Sequence, residues 1–157
     1  MKKFRVTELL IYIVFTELVG ALSALLAGGK FREFFDTLTK PPFSPPAWVF
    51  PVAWALLYAL MGYSVYLISI SGNSNRSKAL KKYALQLTIN FLWTPIFFGM
   101  KSLLGGLVTI VLLDIFIVLM MIEFKKIRRK AAYLNIPYLA WCLYATYLTA
   151  GVFILNK

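Results

Sequence analysis

Five runs of predominantly apolar residues, at about 6–27, 47–70, 80–100, 103–123 and 132–155, take up most of this 157-residue chain. An α-helix rises 1.5 Å per residue and the hydrocarbon core of a bilayer is about 30 Å thick, so about 20 such residues cross it. Each run has roughly that length. In lipid a single segment satisfies its own backbone hydrogen bonds only as a helix. The expected fold class is an all-α integral membrane protein, a five-transmembrane-helix bundle. One membrane domain covers 1–157, with residues 28–46 as a structured, proline-rich first loop. Apolar residues make up 61% of the chain, against the ~45–50% of soluble domains, and no stretch is left for a soluble domain. The first run follows a short basic start, as in a signal peptide, but it is too long for that and no A-x-A site follows. It reads as a retained helix.

The formal charge of +11 would suit a nucleic-acid binder, but its placement points to a membrane instead. Lys2, Lys3 and Arg5 precede the first run, Arg76, Lys78, Lys81 and Lys82 lie before or at the start of the third, and Lys125, Lys126, Arg128, Arg129 and Lys130 lie between the fourth and fifth. These make 12 basic residues on one side. Lys30, Arg32, Lys40, Lys101 and Lys157 make five on the other. By the positive-inside rule the N-terminus is cytoplasmic, and the first loop and C-terminus are outside a cell membrane. The expected surroundings are a lipid bilayer, and no nucleic-acid partner is expected. The run from Lys125 to Lys130 serves orientation or binds anionic headgroups. One cysteine and no histidine exclude a disulfide framework and a Cys/His metal site. No metal or cofactor is expected.

The first loop carries the densest signal. Five of the seven prolines (Pro41, Pro42, Pro45, Pro46, Pro51) and two of the four tryptophans (Trp48, Trp54) lie between Lys40 and Tyr58. Proline fixes φ and has no backbone donor, so Lys40–Pro46 is not helical and forms a stiff lid. Ahead of it, Phe31, Phe34, Phe35 and Leu38 recur at helical spacing and predict a short amphipathic helix. In the first long helix, Gly20, Ala24 and Gly28 form a small-residue face for close packing, in the bundle or between copies. Glu17, near mid-span, is expected to face protein or a wet cavity.

Three later helices carry mixed faces. The second has Phe50, Trp54, Tyr58 and Met61 in one stripe, with Pro51 expected to bend its start. The third has Gln86, Asn90, Trp93 or Thr94, and Phe97, and Pro95 frees the carbonyl of Phe91 and kinks the helix. The fifth has Tyr138, Trp141, Cys142, Ala145 and Thr149. In the fourth, Asp114 is the one mid-span charge, a site candidate or a partner for a neighbouring helix. Aromatic walls with a few fixed polar groups suit a flat, mostly apolar ligand. The same aromatics also serve packing and the interface belt, and spacing alone leaves both readings open.

With these residues laid out, the chain resembles the TspO/MBR family, the translocator proteins also called peripheral-type benzodiazepine receptors. The resemblance rests on L-x-K-P-x-x-x-P-P at Leu38–Pro46, V-F-x-x-x-W-x-x-L-Y at Val49–Tyr58 and L-x-x-N-x-x-W-x-x-x-F-F at Leu87–Phe98. Asp114 and P-Y-L-A-W-x-x-x-A-T-x-L at Pro137–Leu148 complete it. It implies a five-helix bundle with a pocket under the first loop that takes porphyrins such as protoporphyrin IX and synthetic isoquinoline carboxamide and benzodiazepine ligands. The matching pocket positions are Trp54, Tyr58, Asn90, Trp93, Tyr138, Trp141 and Ala145. With the stripes above, the candidate ligand-binding set is these seven together with Phe50, Asp114 and Cys142. Some bacterial relatives degrade protoporphyrin in light, which makes Trp54 and Trp141 candidate oxidisable groups. Relatives form dimers, so a homodimer is also an expected state. Two departures stand out. Thr149 replaces an asparagine common in the family, and no base follows Tyr147 until Lys157, which breaks the sterol-recognition pattern and argues against sterol binding.

The expected function is a membrane receptor or sensor for porphyrins and similar flat apolar ligands, with, at most, slow light-dependent porphyrin degradation as enzymatic activity. The alternative is a transporter of such molecules, although the chain has no internal repeat of the kind many transporters use. A conventional enzyme lacks support, because no nucleophile–base pair or phosphate-cradling loop is present.

Overall fold

The computed structural model describes residues 5–29 and 31–157; Lys2, Lys3 and Lys30, counted above, lie outside them. All regular structure among the described residues is helical. The elements are α1 (Val6–Leu26), α2 (Phe31–Thr37), α3 (Val49–Ser69), α4 (Arg76–Thr94), a π-turn (Pro95–Gly99), α5 (Leu103–Ile127), α6 (Arg129–Tyr133) and α7 (Ile136–Leu155). By length and composition α1, α3, α5 and the stretch Arg129–Leu155 can each cross a membrane. The remaining long helix, α4, carries Arg76, Lys78, Lys81 and Lys82 in its first two turns.

Proline sets several boundaries. The second apolar run becomes helical at Val49, after the turn Val49 N–H to Pro46 C=O, 3.0 Å. Pro51 therefore falls in the first turn of α3, where an N–H would have had no intrahelical partner, so the cause of the expected bend, a carbonyl left unpaired within the helix, does not arise. Pro95 acts as anticipated. The carbonyl of Phe91 is released from the ladder and accepts from Ser23 Oγ of α1 at 2.6 Å. The helix then widens into the π-turn, closed by Met100 N–H to Pro95 C=O at 2.8 Å. The fifth run is divided at Asn135, a buried residue whose Nδ2 donates to Ser64 Oγ at 2.6 Å and to Ala131 C=O at 2.9 Å.

The core is formed by α3, α4, α5 and α7, around Met61, Tyr66, Ile68, Ile110, Leu113, Ile117, Met120, Phe124 and Tyr138. Packed against α3 and α4, α1 reverses the usual order of burial. Its fully buried residues are Thr16 and Ser23, while Leu10, Ile11, Val14, Phe15, Leu18, Leu22 and Leu25 are exposed. In a bilayer that arrangement is favourable, because lipid receives the aliphatic side chains and the hydroxyls find protein partners. Thr16 shares a 2.7 Å hydrogen bond with Tyr83, and Ser23 holds Phe91. The helix stops at Leu26. Gly28 and Gly29 follow with φ of 75° and 65° in a turn, so Gly28 does not extend the small-residue face.

The basic residues sort to opposite ends. Lys78 at the start of α4 meets Glu123 near the end of α5 at 3.3 Å, and Lys126 meets it at 3.0 Å. At the other end Lys40 and Lys101 lie over the rings of Phe35 and Phe34 in α2.

Candidate functional site

Beneath α2 lies a partly open cavity of about 550 Å³, within the usual range for small-molecule sites. The turn before α3 and its first turn bring Ala47, Trp48, Phe50 and Pro51 to its mouth, with Trp54, Ala55 and Tyr58 further in. On the facing side α1 contributes Glu17 and the small residues Gly20, Ala21, Ala24 and Ala27. Trp93, Thr94 and Phe98 close it from α4 and the π-turn, and Phe31 and Arg32 from α2.

The roof is built from aromatic edges. Phe31 stands edge-on to Phe98 at 4.6 Å between ring centroids and to Phe50 at 5.7 Å, and Phe34 meets Phe97 and Phe98 at 6.1 and 6.2 Å. The π-turn thus presents two adjacent phenylalanines to a short helix with a phenylalanine face. Beyond α2 the proline-rich segment lies along α7. Asn156 pairs with Thr39 through two hydrogen bonds of 2.9 and 2.8 Å. Pro41 rests on Gly151, where a Cβ would come within 2.6 Å of the Pro41 ring. Tyr147 and Tyr144 donate to the carbonyls of Pro42 and Phe43 at 2.9 and 2.5 Å.

One cavity wall is backed by a chain of buried hydrogen bonds. Tyr58 OH donates to Asn90 Oδ1 at 2.6 Å, Asn90 Nδ2 donates to Tyr138 OH at 2.9 Å, and Tyr138 OH donates to Gln86 Oε1 at 2.8 Å. The chain joins α3, α4 and α7 and fixes the Tyr58 ring. Trp54 stacks on that ring at 5.4 Å and stands edge-on to Tyr138 at 6.2 Å. Trp93 is held from behind, its Nε1 donating to Gly106 C=O at 3.1 Å while its ring stacks on Phe97 at 5.4 Å. The opposite wall is different: Gly20 lies so close to the Tyr58 ring that an added Cβ would overlap it.

The ten candidate ligand-binding residues separate. Phe50, Trp54, Tyr58 and Trp93 line the cavity. Asn90 and Tyr138 stand behind it in the hydrogen-bond chain, and Cys142 and Ala145 are buried on α7. Trp141 touches the site only through Phe50, at 5.9 Å; its Nε1 is buried without a partner. Asp114 accepts from Thr146 Oγ1 at 2.6 Å, tying α5 to α7 away from the lining. Thr149 turns its hydroxyl back to Ala145 C=O at 2.7 Å. The lining residues contributed by α1 and α2, apart from Glu17, were not singled out from sequence as site residues. The small size of Gly20, Ala21, Ala24 and Ala27 signals close packing, and packing and vacancy give the same pattern. No cluster of His, Cys, Asp and Glu able to hold a metal occurs among the described residues.

The TspO/MBR family model matches residues 12–155. The chain belongs to the TspO/MBR family. A tryptophan-rich protein TspO of Chlorobaculum tepidum is 40% identical over 125 residues, covering 78% of this chain and 79% of that protein. Its namesake from Archaeoglobus fulgidus is 38% identical over 149 residues, 89% and 97% of the two chains. A tryptophan-rich sensory protein of Cereibacter sphaeroides is 37% identical over 146 residues, 93% and 91%. TspO/MBR membership and the apolar helices together make this a multi-pass membrane protein.

Proposed function

We propose that the protein is a five-span membrane receptor or sensor that binds porphyrins, protoporphyrin IX among them, in the cavity beneath α2. One observation carries the reading: a cavity of about 550 Å³ with Phe50, Trp54, Tyr58, Trp93 and Phe98 on its lining, in a chain similar to a protein named for sensing. Flat apolar rings bind by stacking and edge contacts, and these five side chains offer both. The α4–π-turn segment is the fifth crossing, since its polar residues Gln86 and Asn90 are turned inward. The basic end holding Lys78, Lys126 and Lys130 faces the cytoplasm, which puts the lid outside.

Light-dependent degradation of a bound porphyrin falls to Trp54 rather than Trp141, because Trp54 lines the cavity. Titration of protoporphyrin IX into purified protein in detergent should quench tryptophan fluorescence with a Kd in the micromolar range, about 8 kcal/mol. Trp54→Ala should weaken binding about tenfold, and Trp141→Ala less. Unchanged affinity in Trp54→Ala would remove the cavity as the site. Under illumination, porphyrin absorbance should fall faster than for the free pigment in wild type and at the free rate in Trp54→Phe. Equal rates in wild type and free pigment would leave a receptor without catalysis.

A further inference from the structure

Among the described residues the cavity lining has one basic side chain, Arg32, and one acidic side chain, Glu17. From Glu17 to Ala27, α1 rises about 15 Å, and α2 follows the end of α1, so the two charges mark opposite ends. Between them the lining is alanine, glycine, proline and aromatic rings, with Thr94 as its one hydroxyl besides Tyr58. Several other cations of the molecule are engaged. Arg5 pairs with Glu8, Lys78 and Lys126 with Glu123, and Lys40, Lys101, Lys130 and Lys157 lie over aromatic rings. Among the described residues Arg32 has no such partner. It stands on α2 beside Phe31, whose ring packs on Phe50 and Phe98, so its backbone is anchored at the lid end of the cavity.

A guanidinium with all five donors available is a planar fork that matches the two oxygens of a carboxylate. At the rim it can make that pair without deep desolvation of either partner, which is where an ion pair contributes to selectivity at least cost. The carboxyl of Glu17 at the inner end offers no positive charge. We propose that the cavity is polarised for a flat apolar ligand bearing a carboxylate on one edge, with the carboxylate seated on Arg32 at the lid end and the uncharged edge directed toward Glu17. Arg32 is then a specificity-determining residue of this chain, and the proposal rests on the porphyrin-site reading above.

Protoporphyrin IX and its dimethyl ester separate the two ideas, since they share the ring and differ in the acid groups. Each would be titrated into purified protein in detergent, with wild type, Arg32→Gln and Arg32→Lys. The wild type should prefer the acid to the ester by about tenfold. Arg32→Gln should lose that preference while binding the ester as before, and Arg32→Lys should restore part of it. Equal affinity of wild type for acid and ester, or an equal loss for both in Arg32→Gln, would overturn the role of Arg32 and leave the porphyrin site standing. Binding of neither compound would overturn the site reading and this proposal with it. Arg32 is exposed on a surface helix, so its substitution leaves the fold intact, to be checked by an unchanged unfolding midpoint.

Discussion

The two walls of the cavity are held by different forces. On the α3–α4 side the chain Tyr58, Asn90, Tyr138 and Gln86 passes hydrogen bonds through three helices and fixes the ring that the ligand would meet. On the α1 side, glycine and alanine face the cavity, and the helix is tied to the bundle by Arg5, Thr16 and Ser23. A buried polar network has one satisfied arrangement and resists displacement. α1, with two fully buried residues, both hydroxyl-bearing, and most aliphatic side chains turned outward, carries fewer such constraints. A wall fixed by polar bonds thus faces a less constrained one.

Three substitutions test that contrast. Asn90→Leu removes the central link, strands the hydroxyl of Tyr58 in the core and takes the donor from Tyr138; the expected cost is about 2–5 kcal/mol, read by equilibrium unfolding in mixed micelles. A cost below that of an average core substitution would show that the wall is not held by its polar chain. Gly20→Ala drives a methyl into the Tyr58 ring, and because Asn90 pins that ring the cost should be about 1–3 kcal/mol, accompanied by weaker porphyrin binding. If stability falls but binding does not, α1 accommodates the methyl by moving, and its compliance exceeds the account given above. Ser23→Ala leaves the Phe91 carbonyl without its donor. The expected loss is about 1 kcal/mol with little change in affinity, and a large affinity change would make α1 a precise wall after all.

The sequence was most informative where chemistry forces one outcome. Apolar length marked α1, α3, α5 and α7 but not the bounds of α4, proline density marked the non-helical lid, and the Phe31–Leu38 periodicity marked α2. Pro95 had to release the Phe91 carbonyl, yet nothing in the spacing identified Ser23 as the group that would take it, since the partner is 68 residues away. Pairings across helices, such as Thr146 with Asp114 or Asn156 with Thr39, are set by packing between distant segments and leave no local periodicity. The position of the cavity was hidden for a related reason. Aromatic stripes on three helices suggest a site among all of them, but Tyr138, Cys142 and Ala145 are fully packed, and the open volume lies toward α1, where side chains are missing rather than present. Gly20 and Ala24 read as contact residues; one touches Tyr58 and the other borders empty space.

The contacts between the lid and α7 have a mechanical consequence. They run in opposite chain directions, Thr39 with Asn156, Pro41 with Gly151, Pro42 with Tyr147 and Phe43 with Tyr144, like a strap buttoned along a post. Both ends of the strap are sewn in, one to α2 and the other to α3. A strip fastened at both ends cannot swing aside like a door; it can only bow outward, and the buttons nearest its middle must come undone together. The two tyrosine hydroxyls, bonded to consecutive carbonyls of the strap, are therefore the fastenings nearest its middle.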